Sequence, residues 1–380
     1  MAFTRISDKL VRSEADAMVS SGLANYGYSY INIDDGWNIK PSSSDPAIGG
    51  PPRDADGNLR SNRNFPDMKL LADYVHSKGL RIGIYTSPGP LTCGGYEGSY
   101  RHEAQDAHLF AQWGFDFVKY DLCSYQKFLK GFNDTEGLKR PYRLMGSELQ
   151  KQDRDFVYNL CEYGNGQVWQ WGSEVGANLW RTNGDVGYAE HNEAHALWKN
   201  LSTYGFGQAG IGKWVGPGAW NDPDNILIGQ ILWNHKLTPT PLTHNEQYTY
   251  VTLWSLMASP LVFGGDMRKM DPFTLSLLTN AEVIAVDQDA LGRQAAPVFK
   301  QGDLEVWEKD MADGSKAIGL FNRGEQETQV TARWSDLGIH GKHVVRDLWR
   351  QKNLGKFNQE FHASVGPHGA EMFLVEVHGQ

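Results

Sequence analysis

Apolar positions recur at helical spacing between Ser7 and Leu23, where Leu10, Val11, Ala15, Met18, Val19 and Leu23 share one face. Ser7 is placed to cap this helix, and Gly22 lies near its end. The period then shortens, and Tyr28 to Trp37 reads as a strand ending in two acids, Asp34 and Asp35. The alternation continues along the chain. Helical patterns cover Phe65–Lys78, Ser99–Trp113, Pro141–Lys151, Trp169–Gly176, Asn192–Tyr204, Asn245–Met257 and Pro272–Thr279. Strand patterns between them cover Leu80–Tyr85, Phe115–Cys123, Asp155–Glu162, Ala177–Asp185, Pro217–Asp224 and Pro260–Asp266.

Strands that alternate with helices predict an α/β fold with parallel strands and crossover helices. Polar residues cluster after strand after strand: Asp34 and Asp35, Lys119 and Asp121, Cys161 and Glu162, Arg181 and Asp185, then Asn221, Asp222 and Asp224. A doubly wound sheet gathers its chemistry at one switch point, whereas a closed barrel collects every strand end at one mouth. The expected architecture is therefore a (β/α)8 barrel over residues 1–291. Seven strands are countable, and the eighth is expected before the Ser7 helix. Beyond Gly292 the pattern becomes short strands with turn signals such as Asp313-Gly314 and Arg323-Gly324. Residues 292–380 are expected to form an antiparallel β-sandwich.

Composition narrows the function. The chain has 380 residues, 40% of them hydrophobic, and a net charge of −9, which disfavours nucleic acid as the main partner. No run of 18 apolar residues offers a membrane span, and no basic-then-apolar signal peptide opens the chain. Thirteen Trp, several beside Gly, Asn and Asp, fit either sugar-stacking loops or a barrel core. The three cysteines form no C-x-x-C, and His191 and His195 lie in H-N-E-A-H and not in H-E-x-x-H, so no metal site is expected.

Lys119 and Asp121 are two apart, so an extended strand points both the same way at its C-terminal end. A neighbouring cation favours an ionised carboxylate, which suits Asp121 to nucleophilic attack. Asp185 follows two βα units later and can face it across a barrel, and Arg181 is placed to orient the acid or a sugar. Asp34 and Asp35 suit vicinal hydroxyls. Glycoside hydrolysis needs such a carboxyl pair in a hydrogen-bonding mouth. A divalent-cation enzyme, with Asp at many strand ends, is the rival reading of the same residues.

Seven motifs in order sharpen the choice: Tyr-Ile-Asn-Ile-Asp34-Asp35-Gly-Trp37, Gly-Ile-Tyr85, Cys93-Gly-Gly, Lys119-Tyr-Asp121-Leu-Cys123, Cys161-Glu162-Tyr163-Gly164, Trp-Arg181-Thr-Asn-Gly-Asp185 and Trp220-Asn-Asp-Pro-Asp224. They resemble the motif series of glycoside hydrolase family 27, the α-galactosidase and α-N-acetylgalactosaminidase (melibiase) family, over nearly the whole chain. The resemblance implies a retaining mechanism, with Asp121 as nucleophile and Asp185 as general acid and then base. It implies Asp34 and Asp35 on the O4/O6 side of galactose, Lys119 on O3/O4, Arg181 and Asp224 on O2/O3, and Tyr85 lining the pocket. It also implies a Cys93–Cys123 disulfide across the mouth, with Cys161 a free thiol near C2 and Glu162 beside it. No metal or organic cofactor is implied.

Tyr163 stands where galactosidases of the family tend to carry a bulky aromatic, so galactose is expected in preference to N-acetylgalactosamine. The implied partner is a galactose-containing oligosaccharide or polysaccharide, and the implied location is secreted or periplasmic. This chain departs from the family at Gly36, where a cysteine is usual, at Leu122, and at Asn225, where a methionine is usual. It begins near the expected end of the first strand. That start leaves open a related retaining glycosidase (α-N-acetylgalactosaminidase, β-L-arabinopyranosidase or an isomaltose-releasing dextranase) or a galactose-binding chain with impaired catalysis.

Overall fold

The structure, a computed structural model, describes residues 6–187, 195–233 and 236–377. The expected eighth strand would fall on residues 1–5, and His191 on 188–194; both lie outside the described residues. Two compact units are present.

The first unit holds the early βα repeats. Helix α1 (Asp8–Ser20) buries Val11, Ala15 and Met18, and the Ser7 hydroxyl accepts the Leu10 N–H at its start. Strand β1 (Tyr30–Asn32) precedes α2 (Met68–Ser77), which Asp67 caps. Strand β2 (Arg81–Thr86), helix α3 (Glu103–Trp113) and strand β3 (Phe117–Asp121) follow. Helix α4 (Thr135–Gln150), strand β4 (Val157–Cys161) and strand β5 (Leu179–Arg181) complete the series. Strands β1 to β5 are parallel and paired in chain order. Four of the five residues of β3 are fully buried, as expected of a parallel strand covered on both faces.

One acid holds the N-terminal ends of these strands. Asp116 accepts from the Ile82 N–H at 3.0 Å, His76 Nε2 at 2.8 Å and Arg154 Nη2 at 2.5 Å, joining α2, β2 and the approach to β4. Structural bonding thus collects at the end of the sheet away from the strand-end acids, the division of labour usual in parallel barrels.

The second unit contains α5 (Ala196–Phe206), β6 (Trp220–Asp222) and an antiparallel pair, β7 (Gln230–Trp233) and β8 (Lys236–Pro239). Helix α6 (His244–Leu256) starts with a reciprocal capping box between Thr243 and Glu246. Helices α7 (Pro272–Leu278) and α8 (Ala281–Asp287) are capped by Asp271 and Asn280. Eight further strands follow: β9 (Ala296–Gln301), β10 (Leu304–Asp310), β11 (Lys316–Asn322), β12 (Thr328–Arg333), β13 (Lys342–Asp347), β14 (Lys352–Asn358), β15 (Glu360–Val365) and β16 (Ala370–Glu376). Six form an antiparallel sheet in the order β14-β13-β16-β11-β10-β9, and β12 pairs with β15. Val306, Ile318, Leu320, Val330, Trp334, Val345, Phe361 and Phe373 are buried in one apolar cluster of these strands.

Two expected boundaries are corrected. Pro141 lies inside α4, which Asp134 caps seven residues before the helix start expected at that proline. The predicted strand Pro260–Asp266 is reduced to one parallel bridge between Phe263 and Ile226, because proline at one end and Gly264-Gly265 at the other leave little backbone to pair.

Gly146 gives the packing of α4 a test. A Cβ there would sit 2.2 Å from the Val175 carbonyl oxygen, a backbone atom. Alanine gains about 1 kcal/mol of helix propensity over glycine, but overpacking against fixed backbone costs about 1–3 kcal/mol. Gly146→Ala is therefore expected to lower the urea midpoint; a raised midpoint would show that α4 has room at this position.

Candidate active site

In the first unit the predicted residues converge at the C-terminal ends of β1 to β5. The period of two brings Lys119 and Asp121 to one side of β3, as expected. Lys119 Nζ donates to Asp34 Oδ2 at 3.0 Å, while Asp34 Oδ1 accepts the Asp35 N–H at 2.7 Å. Lys119 also lies over the Tyr85 ring, 5.2 Å from its centroid. Burial works to raise the Asp34 carboxyl, but Lys119 and the Asp35 N–H outweigh it and hold it below the usual carboxylate range. Burial likewise opposes the charge on Lys119, yet Asp34, Cys161 and Asp121 together push its ammonium well above the ordinary value.

Asp35 has the opposite environment. It is 2% exposed, Oδ2 accepts the Gly94 N–H at 2.6 Å, and Oδ1 has no hydrogen-bond partner within the protein. Burial, partly offset by Gly94 and reinforced by Asp34 and Asp121, pushes this carboxyl up to about 7. Glu162, fully buried after β4, is pushed well above its ordinary range, chiefly by burial. Its Oε1 accepts the Gly164 N–H at 3.2 Å, while Oε2 has no protein partner.

Asp121 is 5% exposed and receives a phenol on each oxygen. Tyr85 donates to Oδ2 at 2.9 Å and Tyr163 to Oδ1 at 2.6 Å. Cys93 and Cys123 form a disulfide, as the resemblance implied, joining the loop after β2 to the end of β3. Each sulfur touches one of the two phenols: Cys123 Sγ lies 3.2 Å from the Tyr85 hydroxyl and Cys93 Sγ 3.4 Å from that of Tyr163. Cys93, Asp121 and Cys123 are close enough to suit a metal ion, but the disulfide removes both thiolates from any ligand set. Cys161 is a buried free thiol, and Arg181 Nη1 lies 3.8 Å from its sulfur.

The second unit carries Asp185 and Asp224. Asp185 is exposed. Asp224 is buried with φ of +101°, a left-handed backbone rare outside glycine. Its N–H is held by Asp222 Oδ1 at 2.9 Å, and its Oδ2 accepts the Val186 N–H at 2.8 Å, fixing the turn beside Asp185. Sequence reasoning missed this use of Asp222, though its place two residues before a strained Asp is a recognisable local turn.

A carboxylate held between two donors, next to strand-end acids and cations, offers a fixed anion beside groups able to bond hydroxyls. The model of the alpha galactosidase A family matches residues 3–289, and that of the alpha galactosidase C-terminal beta sandwich domain matches residues 301–375. The chain belongs to the α-galactosidase family, glycoside hydrolase family 27. Alpha-galactosidase 2 of Arabidopsis thaliana is 38% identical over 375 residues, spanning 97% of this chain and 85% of its own. Alpha-galactosidase A of Cellvibrio japonicus is 38% identical over 384 residues, spanning 96% and 86%. The crystal structure of α-galactosidase I from Mortierella vinacea is similar with a TM-score of 0.85 at 28% identity, covering 97% of this chain and 93% of that one. The fold is that of the family, a (β/α)8 barrel with a C-terminal antiparallel β domain. The reaction is hydrolysis of terminal α-D-galactosyl residues with retention.

Asp35 ties this site to stability. Its native carboxyl holds a proton up to about pH 7, whereas an unfolded Asp releases it near pH 3.9. The native state therefore binds the extra proton, and stability falls as pH rises through this window. Glu14 and Asp287, also pushed up to about 7 mainly by burial, act with the same sign. The denaturation midpoint is expected to drop between pH 5 and pH 8, and by less in Asp35→Asn; an equal drop in the variant would mean that Asp35 is ionised in the native state throughout.

Proposed function

We propose that Asp121 is the nucleophile and Asp185 the general acid and base of this α-galactosidase. In this reading Asp121 attacks the anomeric carbon while Asp185 protonates the leaving oxygen, giving a covalent galactosyl-enzyme. Water deprotonated by Asp185 then attacks the anomeric carbon and displaces the Asp121 carboxylate, so two inversions give retention. The observation that carries the assignment is the Asp121 carboxylate, buried at the end of β3 with a phenol donor on each oxygen. Asp185 is exposed, which suits a group that must exchange a proton with water in every cycle.

The sugar contacts follow from chemistry. Asp34 and Lys119 offer an acceptor and a donor side by side, and the protonated Asp35 offers a donor below pH 7 and an acceptor above it. Tyr85, Cys93, Cys161, Glu162, Tyr163, Arg181 and Asp224 complete the proposed set. The Tyr163 ring is proposed as the wall that favours galactose over N-acetylgalactosamine. The proposed substrates are terminal α-galactosides of oligosaccharides or plant polysaccharide, and the division at 291/292 is proposed as the boundary between the catalytic and the sandwich domain. No helix among the described residues is long and apolar enough to cross a membrane. The disulfide supports a secreted or periplasmic location, where such bonds persist.

A screen of nitrophenyl glycosides is expected to show release from the α-galactoside and little from the α-N-acetylgalactosaminide or β-L-arabinopyranoside. A preference for either of the latter would replace galactose as the sugar, and galactose binding without turnover would favour an impaired chain. Asp121→Asn is expected to lose at least about a hundredfold in kcat; activity above that level rejects the nucleophile assignment. Asp185→Ala is expected to slow galactosides with poor alkoxide leaving groups far more than nitrophenyl ones. Equal losses on both would remove Asp185 from the acid role.

A further inference from the structure

The backbone at Tyr163 is strained. Its φ is +62°, a left-handed value that costs a non-glycine residue on the order of 1 kcal/mol. Gly164 comes next with φ of +81°, so the chain turns sharply straight after β4. The consequence of this turn is the position of one hydroxyl group. The Tyr163 oxygen lies 2.6 Å from Asp121 Oδ1, shorter than the 2.9 Å bond from Tyr85 to Oδ2. A wall against the sugar would need only the ring, and a phenylalanine would serve. The hydroxyl has its own reason to be there.

We propose that Tyr163 is a positioning residue for the nucleophile, its phenol O–H acting as the counterpart of the Tyr85 O–H so that the Asp121 carboxylate is fixed in rotation and favoured as the anion. The inference rests on Asp121 being the nucleophile. A carboxylate bonded on one oxygen can still swing about its last torsion, whereas bonds on both oxygens from different strands remove that freedom. Tyr85 reaches Asp121 from β2 and Tyr163 from the turn after β4, on either side of β3. The disulfide lies against both hydroxyls and limits how far either ring can withdraw.

The charged and titratable groups facing Asp121 act in both directions. Lys119, from its own strand, favours the anion; Asp35 after β1 and Glu162 after β4 oppose it when ionised. Tyr85 and Tyr142 face it as neutral phenols, both pushed well above their ordinary range, mainly by burial. Within this set a donor hydrogen bond to the anion adds to Lys119. Such a bond contributes roughly 1.5 kcal/mol at the low end, and about 1.4 kcal/mol corresponds to one pH unit.

The test is the pH profile of kcat/KM on nitrophenyl α-galactoside, whose acidic limb reports ionisation in the free enzyme. In Tyr163→Phe the acidic limb is expected to move up by about one pH unit, a roughly tenfold loss below the limb and much less on the plateau. Tyr163→Leu removes the ring and the hydroxyl together and leaves no donor at that point. It is expected to show the same displaced limb, with a higher KM than the phenylalanine variant, which keeps the ring. It also serves as the second variant should the phenylalanine form fold poorly. An acidic limb that stays put in either folded variant overturns the proposal. Asp121→Ala supplied with azide separates this failure from that of the underlying assignment. Recovery of activity with formation of a galactosyl azide keeps Asp121 as nucleophile and leaves only Tyr163 in question, whereas no recovery rejects the assignment and this inference with it.

Discussion

Four carboxyls and two cations share the strand ends of the first unit, and they cannot all carry charge there. Asp35, Asp121, Glu162 and Arg181 are buried, and Asp34 and Lys119 are half-buried beside them. Burial penalises each charge, so ionisation goes to the groups with the best partners. Asp34 has Lys119 and a backbone N–H and stays low; Asp35 and Glu162 lack a cation at hydrogen-bond distance and are pushed up, chiefly by burial. Asp34 is then the anion that pairs directly with Lys119. One lysine, placed by the period of β3 beside Asp121 and against Asp34, keeps Asp34 low, while burial without such a partner pushes Asp35 up.

Neutrality of this kind also suits the reaction. An attacking carboxylate loses its charge as the glycosyl bond forms, while positive charge develops on the sugar. Donors that hold the anion before attack must not bind it so strongly that attack is slowed, and neutral phenols meet that requirement better than a second ammonium would. Lys119 bonds to Asp34, and its field also reaches Asp121, the proposed nucleophile. The direct bonds come from Tyr85 and Tyr163.

The sequence made much of this arrangement legible, because alternation and caps are local properties. Lys119 and Asp121 on one side of β3 follow from a period of two, and Ser7 announces its helix by chemistry that operates within three residues. The errors arose where local and tertiary signals diverge. Pro141 reads as a helix start, yet Asp134 nucleates the helix earlier and the proline is tolerated within it. Strand β14 is almost wholly exposed and carries no apolar alternation to detect. Helix α8 begins two residues after α7 ends, and only Asn280 marks the break. The Tyr163 hydroxyl was the least visible feature. An aromatic beside a strand-end acid predicts a wall, but the bond depends on a left-handed turn that Tyr-Gly permits without requiring.

The two proposed catalytic acids are supported in different ways, and the difference matches their chemistry. Asp121 is buried, flanked by two phenols and a disulfide, and its phenol bonds come from β2 and from the turn after β4. Such a group resists rotation, which an attacking atom needs because misplacement by a fraction of an ångström is costly. Asp185 lies exposed beside a turn, and the restraint comes from its neighbour: Asp224 holds the Val186 N–H and is itself held by Asp222. The turn is pinned while the acid keeps its access to water. A proton donor that must be reloaded in every cycle works better under that arrangement than in a closed pocket. The strained φ of Asp224 is the local cost of pinning the turn from below, leaving the Asp185 face open.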